Sequence, residues 1–216
     1  MAERKQRLNS QKYILLDTET TGLNPRKNAL VEIGAQILTT DLNVPKIDPF
    51  HVYIRPHKDA VIDKRALNVN NHWWAEQPDS PDYQKALEPA DAWAALEDFL
   101  RPHYDVLTWI VLVGWNVGFD EEFLKGLYVQ VHGSEPTVGS PPWPFHYHKI
   151  DLLGVVRFMD ARMDRSRRSY KLEHIAQEYF GNMSGFAMHT ALGDSQMCIK
   201  VAHAVEQELL TSVRIG

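Results

Sequence analysis

The chain has little cysteine: Cys198 is the only one in 216 residues. An internal disulfide is therefore excluded, as is a zinc site built on several thiolates, and a reducing, cytoplasmic setting is expected. Long hydrophobic runs are missing too. No apolar stretch approaches the roughly 20 residues that a membrane-spanning helix requires, so no membrane partner is expected. The polar start MAERKQRLNSQK lacks the apolar core of a secretion signal. Positive charge is in short supply, with 23 Lys and Arg against 28 Asp and Glu and a formal net charge of -5. That balance argues against a protein that grips long duplex nucleic acid by neutralising phosphates. It does not argue against one that handles a few nucleotides at a cation site, where bound metal reverses the local sign. Repeats and low-complexity linkers are absent as well.

What is present suits one sizeable core: 44% of residues are hydrophobic and 24% are charged. We expect a flexible tail over 1–11, a single domain over 12–210 and a second tail over 211–216. KYILLD reads as a buried strand ending in a carboxylate, and ALVEIGAQILTTD and FHVYIRP as two further strands. Residues 57–88 have weak periodicity and read as a loop-dominated excursion with one short helix. DAWAALEDFLRP reads as an amphipathic helix capped by Asp91 and stopped before Pro102. WIVLVG is a strand covered on both faces. In FDEEFLKGLYVQV, Asp120, Leu124, Leu127 and Val131 share one helical face. GSEPTVGSPPWPFHYH reads as a proline-rich surface loop, KIDLLGVVRFMDARM as a short strand and a helix, and YKLEHIAQEYFG as a helix stopped at Gly181. The last helix begins near Leu192 with a stripe of Asp194, Cys198, Val201, Val205 and Leu209. The order of elements predicts an α/β protein, a mixed sheet with helices on its faces.

Three short motifs carry the chemistry. Asp17 and Glu19, two apart at the end of the first strand, point to one side. Two like charges so close drive one to take up a proton unless a cation lies between them, and an all-oxygen donor set favours magnesium or manganese. Asp120 and Asp194 each head the apolar stripe of a helix, so both are aimed inward. Singly, each motif is more often a cap or a solvated charge. In this order, together with His189 in HTALGD, they describe carboxylates that meet around divalent cations.

The motifs DTETTGL, NVGFD and HTALGD resemble those of the DEDDh 3′–5′ exonucleases, the group of the proofreading epsilon subunits and ribonuclease T. The likeness runs from Ile14 to about Val205. It implies a ribonuclease H-like fold with a central mixed five-stranded sheet flanked by helices. It implies that Asp17, Glu19, Asp120 and Asp194 ligate two divalent cations, Mg2+ or Mn2+, and that His189 is the general base. An imidazole's ordinary pKa of about 6.5 suits that role. By the same resemblance Thr20, Gly22, Leu23, Asn116 and Phe119 hold the terminal nucleotide, with Leu23 as a wedge between the last two bases. Many relatives have histidine before the asparagine of the second motif; here it is Trp115.

The expected activity is metal-dependent hydrolysis of DNA from single-stranded or frayed 3′ ends, releasing nucleoside 5′-monophosphates, in proofreading, repair or DNA turnover. The partners implied are nucleic acid 3′ ends, DNA before RNA, and a separate polymerase or repair protein. Trimming of RNA ends or short oligoribonucleotides is the alternative, and a non-catalytic binding subunit on the same fold the remote one. Trp73 and Trp74 read either as a stacking platform for bases or, preferably, as cover for the sheet edge or core. Arg162, Arg165, Arg167, Arg168 and Lys171 read equally as a phosphate-binding stretch or a solvated basic turn.

Overall fold

Strand β1 (Lys12–Thr20) is the axis of the molecule. In the computed structural model, which describes residues 12–104, 109–137, 143–183 and 188–213, β1 pairs antiparallel with β2 (Leu30–Leu38) and parallel with β4 (Ile110–Gly114). β2 carries β3 (Phe50–Tyr53) antiparallel, and β4 carries β5 (Phe145–Asp151) parallel. The order is β3-β2-β1-β4-β5, the mixed five-stranded sheet expected. Its described helices are α1 (Lys64–Asn70), α2 (Pro81–Lys85), α3 (Pro89–Leu100), α4 (Gly118–His132), α5 (Leu152–Arg162), α6 (Leu172–Phe180) and α7 (Ala191–Val213). Among the described residues no helix is long and apolar enough to cross a membrane.

The alternation of β1 decides what faces what. Ile14 and Leu16 pack with Trp93, Leu96, Leu124 and Leu127 from α3 and α4. Leu15 packs with Leu152 of α5 and with Cys198 and Ile199 of α7. Full burial of each Leu or Ile contributes about 1.5–3 kcal/mol, so the inner half of the strand anchors an outer end that carries charge. Continuing the period of two, Asp17 and Glu19 fall on the α7 side and Thr18 on the α3–α4 side. Their end of β1 lies beside the carboxyl end of its parallel neighbour β4, where open α/β sheets place their sites. Gly34 lets α7 reach that end. A Cβ there would come within 2.4 Å of the Ala191 carbonyl carbon and the Leu192 nitrogen, so a larger residue would push the helix start off the sheet.

Four local expectations are corrected. Residues 57–88 hold α1, a 3-10 turn over Trp73–Glu76, and α2. Caps rather than periodicity set them: the Asp63 side chain accepts from Arg65 N–H, and Ser80 accepts from Tyr83 N–H with Pro81 in the first turn. Helix α3 begins at Pro89 after Glu88, because proline is pre-set for a first helical position; Asp91 is thus inside the first turn and not the cap. The proline-rich segment is not all surface loop. Trp143 is buried with its ring stacked on Trp93 at 6.0 Å, and β5 already starts at Phe145; residues 138–142 lie outside the described residues. Finally, α7 runs on to Val213, into the stretch expected as a tail, while 1–11 and 214–216 lie outside the described residues.

Candidate active site

Asp17, Glu19 and Asp194 come together. One carboxylate oxygen from each lies within 4.8 Å of the others. Asp194 reaches the strand from the first turn of α7, which Gly34 admits to the sheet. Asp120, at the start of α4, is 3% exposed and accepts a 2.7 Å hydrogen bond from Thr18 Oγ1. It stands outside the group of three yet next to Asp17, on which it exerts the strongest charge effect. The expected quartet is therefore three acids around one point and a fourth beside them, approached from the other face of the sheet.

The electrostatics of this cluster call for a cation. Burial, and then the charges of Asp120, Glu19 and Asp194, push Asp17 well above the usual carboxylate range. Burial and Asp194 raise Glu19 to about 7, although His72 and Asn70 pull the other way. Burial raises Asp120 to about 7 against the Thr18 hydrogen bond, and Asp194 to about 6 against His189. Four carboxyls this reluctant to ionise, all oxygen donors, fit hard divalent cations, which remove both the desolvation and the mutual repulsion.

His189 sits just before α7 with φ of +59°, a left-handed conformation uncommon outside glycine. Its N–H points to Asp194 Oδ1 at 3.3 Å, so the histidine and the carboxylate are held by one short segment. Leu23 is 83% exposed, as a wedge requires. Gly22 is packed so tightly that a Cβ would meet the Asn28 side chain at 2.4 Å. Thr20 is buried with its hydroxyl donating to the Gly22 carbonyl at 2.6 Å, so that side chain shapes the loop that presents Leu23. Asn116 is exposed, at φ +58°, and its N–H donates to Asp151 Oδ1 at 2.9 Å. Phe119 is half-buried, its ring 4.9 Å from Phe123. Trp115 is half-buried and donates from Nε1 to the Tyr170 carbonyl at 3.1 Å, which ties the stretch before α6 to the end of β4.

Trp74 and two arginines of the basic stretch have structural partners. Trp74 packs edge-on to Tyr53 and Tyr83 over edge strand β3, whereas Trp73 is 37% exposed. In the basic stretch, Arg167 pairs with Asp160 at 2.6 Å and with Glu178, and Arg165 pairs with Glu208. These arginines hold α5, α6 and α7 together; Arg162 and Arg168 are exposed. A groove of about 820 Å³ between the 25–30 and 54–59 segments and α4 includes none of the five expected catalytic residues.

Sequence reasoning missed Glu32, Asn70, His72 and Asp151. Glu32 is fully buried on β2, with His51 Nε2 at 2.7 Å, His72 Nε2 at 2.6 Å and the Ala191 N–H at 3.2 Å. Burial works against its charge, but the two imidazoles outweigh it and hold Glu32 below its ordinary pKa. The other nitrogen of His72 faces the Asn70 carbonyl at 2.5 Å. Burial works against a charge on this ring, but the Glu32 carboxylate and the Asn70 carbonyl at its two nitrogens outweigh it and raise its pKa. Asn70 donates to the Thr20 carbonyl at 3.1 Å, and Asp151 caps α5 at the Leu153 N–H. The signal for Glu32 was legible: a lone acid inside the apolar run ALVEIGAQIL must find buried partners.

Strand-end acids, a helix-borne aspartate and a histidine five residues before the last acid thus gather at one end of a mixed five-stranded sheet. The Exonuclease family model of the ribonuclease T type matches residues 14–202, and the chain belongs to that family. It is 25% identical over 189 residues to the DNA polymerase III PolC-type protein of Thermotoga petrophila, covering 88% of this chain and 11% of that protein. It is 26% identical over 178 residues to the oligoribonuclease of Thiobacillus denitrificans, covering 80% and 90%. The crystal structure of E. coli Exonuclease I in complex with a dT13 oligonucleotide superposes with a TM-score of 0.69 at 21% identity, covering 94% of this chain and 43% of that one. The chain spans about a tenth of the PolC-type protein.

Proposed function

We propose that the chain is a metal-dependent 3′–5′ exonuclease that removes nucleoside 5′-monophosphates from single-stranded or frayed DNA ends. The observation that carries this reading is the convergence of Asp17, Glu19 and Asp194 within 4.8 Å, with Asp120 beside Asp17. Asp17, Glu19 and Asp194 would hold one divalent cation, and Asp17 with Asp120 a second, magnesium or manganese by donor chemistry. When bound, such ions lower the pKa of a water and neutralise charge at the phosphate.

His189 acts as the base, accepting a proton from the attacking water. The water oxygen forms a bond to the terminal phosphorus and the bond to the 3′ oxygen of the preceding nucleotide breaks, so the phosphate leaves on the released nucleotide. Leu23, exposed on a loop pinned by Thr20 and Gly22, parts the last two bases. Trp73 is available to stack an unpaired base. The likeness to a PolC-type DNA polymerase supports the DNA reading and a link to a polymerase. The likeness to an oligoribonuclease supports RNA ends as the second reading. The single cysteine supports a cytoplasmic, reducing location.

The test is a gel assay on 3′-terminal digestion of 5′-labelled single-stranded DNA, mismatched duplex and RNA, with and without magnesium. Stepwise shortening of DNA only with the metal is expected. No shortening of any strand would end the proposal, and RNA shortened much faster than DNA would select the second reading.

A further inference from the structure

Glu32 lies outside the acid cluster but is bonded to the segments that build it. Its carboxylate, 0% exposed, accepts from His51 of β3, from His72 after α1, and from the Ala191 N–H at the start of α7. The third bond is the informative one. Ala191 opens the helix that carries Asp194 three residues on, and it follows His189 by two. The second has a similar reach, because His72 is also tied to Asn70, which donates to the Thr20 carbonyl at the end of β1. Glu32 is itself the register partner of Glu19 across β1 and β2. One side chain thus joins β2 to the separate pieces of backbone on which Glu19, Asp194 and His189 depend.

The arrangement is also costly, which argues for a purpose. A well-packed apolar residue of similar size on β2 would stabilise a sheet as well as a buried ion pair does, or better. An apolar residue, however, could not accept the Ala191 N–H. The nearby approach of Gly34 to the Ala191 carbonyl carbon and the Leu192 nitrogen at 2.4 Å to a would-be Cβ limits how near α7 comes; the Glu32 bond limits how far it drifts.

Resting on the exonuclease reading above, we propose that Glu32 is a positioning residue that locks the start of α7 and the end of α1 to the sheet, setting Asp194 in register with Asp17 and Glu19. Placement, not charge, is its contribution. An amide in its place keeps an oxygen for the Ala191 N–H and offers a donor to a neutral His72 through Nε2.

The experiment compares the full-length wild type with Glu32→Gln and Glu32→Met for melting temperature, Mn2+ affinity without substrate, and kcat and KM on single-stranded DNA. Glu32→Gln is expected within about threefold of wild type in Mn2+ affinity and kcat. Glu32→Met is expected to lose on the order of 10–100-fold in both, the range for outer partners of metal ligands, with KM little changed. Wild-type Mn2+ affinity and kcat in Glu32→Met, whatever its melting temperature, would overturn the proposal. If Glu32→Met does not fold, Glu32→Gln decides alone: near-wild-type values support placement, and a loss of tenfold or more at an unchanged melting temperature refutes it. Failure of the exonuclease reading is distinguishable, since the wild type itself would then not cleave.

Discussion

Glu19 and Glu32 are register partners across β1 and β2, yet their carboxyls lie on opposite sides of the ordinary range. Glu32 is held low by two imidazoles that outweigh its burial, while burial and Asp194 raise Glu19 to about 7. The protein supplies a counter-charge to the acid it uses as a brace. It leaves Glu19, Asp17, Asp120 and Asp194 short of one, which is the electrostatic signature of a cation site.

Replacing Asp17 with asparagine removes the charge at the centre of that repulsion. Asp17→Asn should retain the fold by circular dichroism and melt higher than wild type in EDTA at pH 8. Its cleavage rate should fall by at least about a thousandfold. A mutant of wild-type activity would remove Asp17 from the site.

The raised acids also predict how the metal-free protein responds to pH. A group whose folded pKa is raised supports folding fully below its unfolded pKa, and that support is lost as pH rises through the folded pKa. With Asp194 at about 6 and Glu19 and Asp120 at about 7, the melting temperature in EDTA should decline from pH 5 to pH 8. Added Mg2+ or Mn2+ should raise it strongly at pH 8 and little at pH 5, because protons compete for the ligands. A flat EDTA profile over this window would contradict the assigned environments.

His189→Ala should lower kcat by about 10²–10⁴-fold, the usual range for a positioned base. Strand binding, followed by fluorescence anisotropy in Ca2+, should stay within about threefold of wild type. Unchanged turnover at neutral pH would take the base role from His189.

Arg167→Ala tests the basic stretch. Arg167 and Asp160 are both nearly fully buried and 2.6 Å apart, and breaking such a pair typically costs about 3–5 kcal/mol. Denaturant unfolding should report a loss of that order, whereas Arg168→Ala, at an exposed position, should change stability by less than about 0.5 kcal/mol. Equal effects of the two would contradict the structural role.

The strands and the cluster of Asp17, Glu19 and Asp194 were legible because both depend on local pattern: an apolar run ending in Asp17-x-Glu19, and an acid heading an apolar stripe. The short helices of 57–88 were not, since caps at Asp63 and Ser80 set them and no amphipathic period does. Trp143 was hidden by the prolines around it, because its burial depends on Trp93, fifty residues earlier in the chain. The place of Asp120, beside Asp17 but outside the group of three, depends on which face of the sheet α4 covers, which no spacing encodes. The brace at Glu32 needed His51 and His72, 19 and 40 residues away, so the sequence could signal that partners existed without saying which.

The most direct test is anomalous diffraction from crystals grown with Mn2+. The account predicts a peak within coordination distance of the Asp17, Glu19 and Asp194 carboxylates. Crystals that hold Mn2+ elsewhere, or show no peak at these three side chains at saturating metal, would contradict it.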